Sequence, residues 1–380
     1  MPAELERIYD RLFAWSAARG FAGYDPFDAL NSRIFLKKPL RNHRLARLAL
    51  TQLVKRSPVN LRPLLGVRPG VNPKAIALFS LAELSRYRAT ARSSHAENAR
   101  RLLDQLLELG AYAGDTRSFG YNFDWQSRVF FAPRGTPTIV PTAFASQAFA
   151  EGLAALGEER FSDAVQQIAN FAATRLKRPI EKDYEICFSY TPVDESVIFN
   201  ASLLAGECLM RSAKAEHHDL ARKTVHLAIH RQREDGAWPY GGGHSQKWVD
   251  NFHTAYVLQS IRRIADVLGT TDEIEVAFAK GMSYWLGHFF LDNGTPRYYD
   301  HETYPIDIHS AAVGIAALAE LGEIELAEKV AAWTIRHMRD SDGFFYYRVG
   351  RATVDQTPFM RWGQAWMGYA LARLMEAQAH

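Results

Sequence analysis

The sequence has little cysteine, little net charge and no long apolar run. Its two cysteines, Cys187 and Cys208, form neither a C-x-x-C pair nor a disulfide framework, which favours the reducing cytoplasm. A formal net charge of +3 on 380 residues gives no basis for nucleic-acid binding by bulk charge. No stretch approaches the roughly 18 apolar residues of a membrane span, and the N-terminus lacks the features of a signal peptide. We therefore expect a cytoplasmic protein with no membrane span and no nucleic-acid partner.

Signatures of cofactor binding are also missing. The sequence contains no G-x-x-x-x-G-K-[ST] and no G-x-G-x-x-G motif, so nucleotide use is unsupported. Possible metal ligands occur in Asp300-His301-Glu302 and in Asp307-x-His309, but neither spacing is diagnostic of a metal site. We predict no cofactor and no metal.

What the sequence does contain is a two-helix unit, clearest between Gln232 and Arg262. Asp235-Gly236 stops one helix, because glycine reaches positive φ without a Cβ clash. Trp238-Pro239-Tyr240 is typical of a short extended piece, and Asp250 is a candidate N-cap for a new helix. That second helix is apolar on nearly all sides, as expected of a helix surrounded by others.

The unit recurs along the chain at about 53 to 56 residues. The inner helices share small or polar starts: Ser146-Gln147-Ala148, Asn200-Ala201-Ser202, His253-Thr254-Ala255, His309-Ser310-Ala311 and Gly363-Gln364-Ala365. Six helical hairpins follow, at about Asn42–Arg86, His95–Leu156, Phe161–Met210, His217–Val267, Thr271–Leu321 and Ile324–Met375.

A single hairpin cannot bury its own apolar face, but six that close into a ring can. We therefore predict an all-α (α/α)6 toroid with an apolar inner ring, a more charged outer ring and short extended segments in the inner loops. Residues 1–380 are expected to form one domain, with an N-terminal helix and a turn-rich lead-in at 1–40.

This pattern resembles the six-hairpin glycosidase-like group over about residues 40–376. The stretch Thr357–Leu371 is similar to the last inner helix of uronyl-epimerase and unsaturated-uronide hydrolase proteins. The stretch Gly23–Ser32 resembles bacterial exopolysaccharide-cluster proteins labelled VpsJ-like. These resemblances imply work on a polysaccharide, often an anionic one.

The same toroid resembles squalene cyclases and prenyltransferases, whose repeats carry Gln…Asp-Gly-x-Trp. Gln232 and Asp235-Gly236-Ala237-Trp238 fit that pattern once. The Asp-x-Asp-Asp acid of the cyclases is absent, and neither cysteine stands in the zinc-binding frame of the transferases. These departures make the isoprenoid reading the alternative.

Chemistry is expected where the loops leading into the inner helices converge at one mouth of the ring. His253 and His309 occupy the same register in adjacent repeats, and the helix dipole there disfavours their cationic forms. Asp250 with Asp307, or Asp194 with Asp250, could supply the two carboxyls of a glycosidase. The competing interpretation is that these residues cap helices or lie in the core.

Lyases and epimerases of uronates instead need an acid, a base and a group that neutralises the carboxylate. Tyrosine and histidine suit the first two roles, arginine forks suit the third, and aromatic faces suit sugar rings. The candidate catalytic residues are His253, His309, Tyr240, Asp250, Asp307 and Asp194. The candidate substrate-binding residues are Arg361, Arg297, Arg128, Trp125, Trp238, Trp248, Tyr190, Asp124 and His244.

The leading hypothesis is a carbohydrate-active enzyme acting on an anionic, uronate-containing glycan in bacterial polysaccharide metabolism. Its chemistry would be hydrolysis, elimination or epimerisation by acid and base groups, and its partner an oligosaccharide or polysaccharide. An isoprenoid cyclase or transferase would instead have a deep apolar cavity with few arginines. A non-catalytic glycan-binding protein would use all of its loop carboxylates as helix caps.

Overall fold

The structure is a computed structural model that describes residues 2–33 and 40–379. Part of the predicted lead-in, residues 34–39, lies outside the described residues. The helices are α1 (Pro2–Ala17), α2 (Arg44–Arg56), α3 (Pro73–Thr90), α4 (Ser93–Leu109), α5 (Ile139–Leu156), α6 (Arg160–Arg175), α7 (Phe199–Met210), α8 (Ala215–Ile229), α9 (Asn251–Leu268), α10 (Asp272–Phe289), α11 (Ile308–Glu320), α12 (Ile324–Met338) and α13 (Ala365–Ala377).

Six of these helices form a closed inner ring. In order around the ring they are α3, α5, α7, α9, α11 and α13, and α13 packs against α3 to close it. Helices α7 and α11 are buried over nearly all their residues, because their sequences are apolar on every side. The outer helices are amphipathic, and α4, for example, buries only its alanine, leucine and histidine stripe. The predicted all-α toroid of two concentric rings is confirmed.

The outer helix that pairs with the last inner helix, α13, is α1. The sequence analysis paired α13 with the helix beginning at Ile324, but that helix, α12, packs mainly against α11. The buried face of α1, formed by Leu5, Ile8, Tyr9 and Leu12, belongs to the same core cluster as the inner helices. Glu6 of α1 forms an ion pair of 2.6 Å with Arg92, the N-cap residue of α4. Helix α1, which the sequence analysis predicted as an N-terminal helix without assigning it to any of the six hairpins, thus closes the outer ring.

Helix α2 lies across the mouth of the toroid. Of its residues only Thr51 and Val54 are buried, while Leu45 and Leu53 are largely exposed. A helix with so few buried side chains cannot serve as a wall of the outer ring. The prediction that Asn42–Arg86 forms the first hairpin is therefore wrong, since α3 pairs with α4 instead.

The inner loops contain short strands, as predicted. They are β1 (Ala22–Gly23), β2 (Gly70–Val71), β3 (Ala111–Ala113), β4 (Thr116–Ser118), β5 (Trp125–Gln126), β6 (Phe131–Ala132), β7 (Ile180–Glu181), β8 (Ile186–Cys187), β9 (Ile306–Asp307), β10 (Arg348–Val349) and β11 (Val354–Asp355). The last three form an antiparallel sheet in the order β11-β10-β9. Its register sets Arg348 opposite Asp307, which brings two loops together at the mouth.

By length and apolar composition alone, helix α5 could cross a membrane. The sequence analysis had found no stretch of this kind. In the toroid it is an inner helix, and 67% of it is buried inside the protein. Its apolar composition is what the centre of the ring requires.

The Asp-Gly-x-Trp stretch serves packing. Trp238 is buried, its Nε1 donates to the carbonyl of Ala228 at 2.9 Å, and its ring lies against Gly281 on α10. The prediction that Trp238 is exposed for sugar binding is therefore wrong. A glycine is required at 281 because an added Cβ would stand 2.3 Å from Cζ3 of that ring.

Replacing Gly281 by alanine should lower the free energy of unfolding by about 1–3 kcal/mol, because the indole would have to move. Gly287 on the same helix is the matched control, since nothing lies within 4 Å of a Cβ added there. Its alanine variant should be neutral or more stable by up to about 1 kcal/mol, from helix propensity. Urea unfolding of both variants measures the difference, and equal effects would contradict the packing role of Trp238.

Candidate functional site

A cavity of about 350 Å³ opens among the N-terminal ends of the inner helices. Ten predicted site residues line it: His253, His309, Tyr240, Asp250, Asp307, Arg361, Arg128, Trp125, Trp248 and Tyr190. The inner loops therefore do converge on one basin. Helix α2 adds Lys55 and Arg56 to its wall, which the sequence analysis did not foresee.

His253 and Asp250 form a hydrogen-bonded dyad at the start of α9. Asp250 is the N-cap of that helix, and its Oδ1 accepts from the His253 backbone N–H at 3.0 Å. Its Oδ2 lies 2.7 Å from His253 Nδ1 and accepts from Trp248 Nε1 at 3.0 Å. Because the carboxylate holds Nδ1, the free imidazole nitrogen is Nε2, which has no hydrogen-bond partner among residues 2–33 and 40–379. His253 thus presents an oriented acid or base group at the cavity.

Tyr240 packs against this dyad. Its ring stacks on Trp248, with ring centres 4.6 Å apart, and lies 4.5 Å from the His253 ring. Burial, and then the neighbouring Asp250 carboxylate, raise the pKa of the Tyr240 hydroxyl above its ordinary value. That hydroxyl therefore keeps its proton at neutral pH and can donate a hydrogen bond at the cavity, while the His253 imidazole can accept a proton there.

His309 lies deeper and makes different contacts. Its Nδ1 lies 3.1 Å from the Trp362 carbonyl, so Nδ1 carries the proton, and its Nε2 lies 3.3 Å from the Tyr256 hydroxyl. The ring stacks on Trp362 and is almost fully buried. Burial, and then the nearby Lys74, hold the pKa of His309 well below its ordinary value. His309 is therefore neutral, and it lines the cavity next to Tyr256.

The two histidines occupy different positions relative to the N-caps of their helices. His253 is the third residue after the N-cap Asp250, whereas His309 is the second residue after the N-cap Asp307. Asp250 accepts from the backbone of the third residue after it, whereas Asp307 accepts from the second, at 2.9 Å. Asp307 also accepts from Trp362 Nε1 at 2.8 Å. Burial raises the pKa of the Asp307 carboxyl, while Arg348, 3.7 Å away, opposes that shift. Both predicted carboxylates that reach the cavity are thus N-caps as well.

Arg361 is tied to the N-terminal part of the chain. Its Nε and Nη2 donate to the two carboxylate oxygens of Asp25, at 2.6 and 2.8 Å, and both side chains are buried. This bidentate pair fixes the guanidinium beside the cavity and neutralises most of its charge. Arg361 is therefore less available to a substrate carboxylate than the sequence suggested.

Five predicted residues do not line the cavity. Asp124 accepts from Arg41 and from the Arg134 backbone, and Asp194 accepts from Thr191 and Ser196. Both are short polar side chains that satisfy backbone groups of their own loops. Arg297 donates to the His288 carbonyl, Trp238 is packed in the core, and His244 is exposed on the surface. The expectation that these side chains face the basin is corrected.

Three important residues were missed by the sequence analysis: Lys74, Tyr256 and Lys55. Lys74 and Tyr256 lie within apolar helices, where a single polar side chain gives no pattern. The one available signal was Lys74 itself, since a lysine in the first turn of an inner helix, directly before the apolar run 75–79, is unusual. Lys55 could not be assigned because α2 was expected to lie in the outer ring.

The rest of the lining is rich in cations and aromatic rings. Arg128 lies over the ring of Trp248 at 4.7 Å, and Lys55 over that of Phe27 at 4.2 Å. The cationic side chains of the lining are Lys55, Arg56, Lys74, Arg128, Arg348 and Arg361. Asp250 and Asp307 are the carboxylates that line it within the described chain. This lining therefore differs from the apolar cavity with few arginines that the isoprenoid alternative predicts.

In the described part of the chain, no three His, Cys, Asp or Glu side chains are grouped closely enough to hold a metal ion. Both cysteines are buried and free.

No family model matches the sequence, and no curated protein matches it. Solved structures do share its fold at low identity. Cellobiose 2-epimerase from Bacillus thermoamylovorans is 12% identical with a TM-score of 0.64, over 81% of this chain and 87% of that one. Unsaturated glucuronyl hydrolase from Bacillus sp. GL1 is 13% identical with a TM-score of 0.56, over 78% and 85%.

An alpha-1,6-mannanase of Salegentibacter sp. is similar to the same extent, at 11% identity and a TM-score of 0.56, over 82% of this chain and 90% of that one. These similarities confirm that the chain has the (α/α)6 fold found in six-hairpin glycosidase-like enzymes. The neighbours include an epimerase, a uronide hydrolase and a mannanase. The fold therefore leaves the reaction to be argued from the site.

Proposed function

We propose that this protein is a carbohydrate-active enzyme that transfers protons at an acidic sugar of a uronate-containing glycan. The observation that carries the proposal is the His253–Asp250 dyad at a cavity rich in aromatic rings. Within residues 2–33 and 40–379 the His253 Nε2 has no hydrogen-bond partner, and six lysine and arginine side chains line the cavity. His253 is the base, the Tyr240 hydroxyl is the acid, and the cations stabilise the charge that develops on the carboxylate. We place the reaction in cytoplasmic polysaccharide metabolism of a bacterium, which the two reduced cysteines and the Gly23–Ser32 resemblance support.

Proton transfer suits the site better than hydrolysis. A hydrolase needs one protonated carboxyl and one free carboxylate on either side of the bond. Asp250 already accepts three hydrogen bonds, and Asp307 accepts two on one oxygen and faces Arg348 with the other. The histidine and tyrosine groups, by contrast, are placed at the cavity with defined donors and acceptors.

The test is to incubate the protein with glucuronate-, galacturonate- and mannuronate-containing oligosaccharides in deuterated water. Epimerisation would exchange deuterium into C5, and elimination would give an unsaturated product with ultraviolet absorbance. Release of new reducing ends without either signal would show hydrolysis and overturn the proton-transfer assignment. Activity only on neutral glycans would contradict the proposal that the substrate is acidic.

The pH dependence of binding tests whether the charge of Lys55 in the cavity lining contributes to substrate affinity. Burial lowers the pKa of the Lys55 amine to about 8. The amine is charged below that pH and loses its charge as pH rises through it, so the affinity for an acidic oligosaccharide should fall about two- to fivefold between pH 7 and 9. Titration calorimetry at both pH values measures the fall. Lys55→Arg keeps its charge and should remove it, whereas an undiminished fall in that variant would contradict the role of Lys55.

Non-catalytic glycan binding is the second candidate, because both cavity carboxylates do cap helices. It predicts affinity for acidic glycans with no product in any of the assays above. Unchanged substrate after long incubation with a glycan that binds would favour it over the enzyme.

A further inference from the structure

Tyr256 lines the cavity and packs on two buried aromatic rings from two other inner helices. Phe144 of α5, Tyr256 of α9 and Trp366 of α13 contact one another, with ring centres 5.2 to 6.0 Å apart. We call these three residues the aromatic floor. Beyond it the toroid is filled by a charged network in which Arg263 binds Glu207 and Glu320. A substrate that enters from the mouth therefore meets Lys74 and Tyr256 at this end of the cavity.

Lys74 stands on this floor. Its Nζ lies 4.3 Å from the centre of the Phe144 ring, 5.1 Å from that of Trp366 and 5.4 Å from that of Tyr256. The side chain is 2% exposed, and its one hydrogen bond within the described chain is to the Tyr256 hydroxyl at 3.3 Å. An ammonium has three donors, so two remain for a ligand.

No carboxylate of the described residues forms an ion pair with Lys74. The charged or titratable groups around it are Tyr256 of α9, His309 of α11, Arg361 at the start of α13, and Asp25 of the N-terminal segment, which is itself bonded to Arg361. Burial, and then the Arg361 charge, hold the pKa of the Lys74 amine well below its ordinary value. Charging a buried amine without a counter-ion is costly, so a bound anion would favour the protonated form of Lys74 and remove that cost.

We propose that Lys74 and the aromatic floor form an anion subsite that receives the carboxylate of the substrate's terminal acidic sugar. This inference rests on the proposed function and deepens it. An anion at the floor supplies the missing counter-ion and takes the two open donor positions. Because the carboxyl carbon is bonded to C5, this orientation brings C5 toward His253, whose ring centre lies 6.3 Å from that of Tyr256.

A binding cycle tests the subsite without using turnover. Disaccharides ending in glucuronate, galacturonate, mannuronate or guluronate are compared as free acids and as methyl esters, and the pair that binds best is kept. The unmodified protein should bind the acid roughly 10- to 100-fold more tightly than the ester, the value of a hydrogen bond to a buried charge. Lys74→Met should bind both equally, with the ester affinity unchanged.

The matched control is Lys329→Met, which removes an exposed lysine on the outer helix α12, away from the cavity lining. It should retain the full preference for the acid, because a solvated charge outside the cavity contributes little. The ester affinity reports in every variant whether the cavity is intact. If no acid binds better than its ester, or if Lys74→Met keeps the preference, the subsite is wrong. Since the cycle measures binding, turnover that depends on His253 would survive that result, and the proposed function would stand without it.

Discussion

Replacing His253 by glutamine should reduce turnover of an acidic oligosaccharide about 10²- to 10⁴-fold, the usual loss when a general base is removed. Glutamine retains hydrogen bonding but cannot exchange a proton near neutral pH. Because His253 is partly exposed at the helix start, the fold should not depend on it. Steady-state rates, with thermal unfolding of the same samples, measure the effect. The variant should lose kcat while its affinity for the substrate changes little.

Asp250→Asn extends this test to the positioning of the histidine. Asparagine can still accept the backbone hydrogen bond of the N-cap, but it presents an amide where Oδ2 now faces His253 Nδ1 and Trp248 Nε1. We expect a 10- to 100-fold loss, as is typical when a group that orients a functional histidine is removed. His337→Gln, on the exposed face of α12, is the control and should leave the rate unchanged. A full rate in the His253 variant would remove the dyad from the mechanism.

Replacing Asp25 by asparagine should lower the free energy of unfolding by about 3–5 kcal/mol. The change leaves the Arg361 guanidinium buried without its carboxylate partner, which is the costly way to break an ion pair. Guanidinium-chloride or urea unfolding measures it. Glu195→Gln is the control, because its pair with Lys177 is exposed and should contribute less than about 1 kcal/mol.

A double variant separates the buried charge from packing. Asp25→Leu with Arg361→Met removes both charges together, so no ion is left unpaired. It should be more stable than Asp25→Asn alone. If Asp25→Asn had no more effect than the exposed control, the pair would not hold the N-terminal segment to α13 as the structure indicates.

The subsite at Lys74 and the dyad at His253 make separate claims about one cavity. The dyad explains proton transfer, and the aromatic floor explains which group of the substrate goes to the bottom. Their tests differ in kind, since one measures rates and the other measures the difference in affinity between an acid and its ester. Either result can fail without the other.

Much of the fold could be predicted because its information is local. The apolar pattern of the inner helices and the turns between them repeat along the chain, so the ring follows from neighbouring residues. The N-cap position of Asp250 and of Asp307 could be predicted for the same reason. Ten of the predicted site residues reach the cavity because they belong to loops that the ring forces together.

The errors arose where residues far apart in sequence meet. Helix α1 completes the outer ring because its apolar face fills the gap beside α13, and no nearby residue signals this partner. Asp124 and Asp194 looked like site residues, but each is taken by the backbone of its own loop. Lys74 was missed because one cation in an apolar helix acquires meaning only from the rings placed around it by two other helices and by α13.

The sequence by itself determined the hairpin repeat, the inner and outer faces and the loops that hold the chemistry, because side-chain periodicity and turn residues act within a few positions. Tertiary structure alone decided which helix closes the ring, that α2 covers the mouth, and that Asp25 binds Arg361 across 336 residues. It also decided that the His253 ring is partly exposed, whereas the His309 ring is almost fully buried and has both nitrogens engaged. These outcomes depend on long-range packing and desolvation, which act only after the ring has closed.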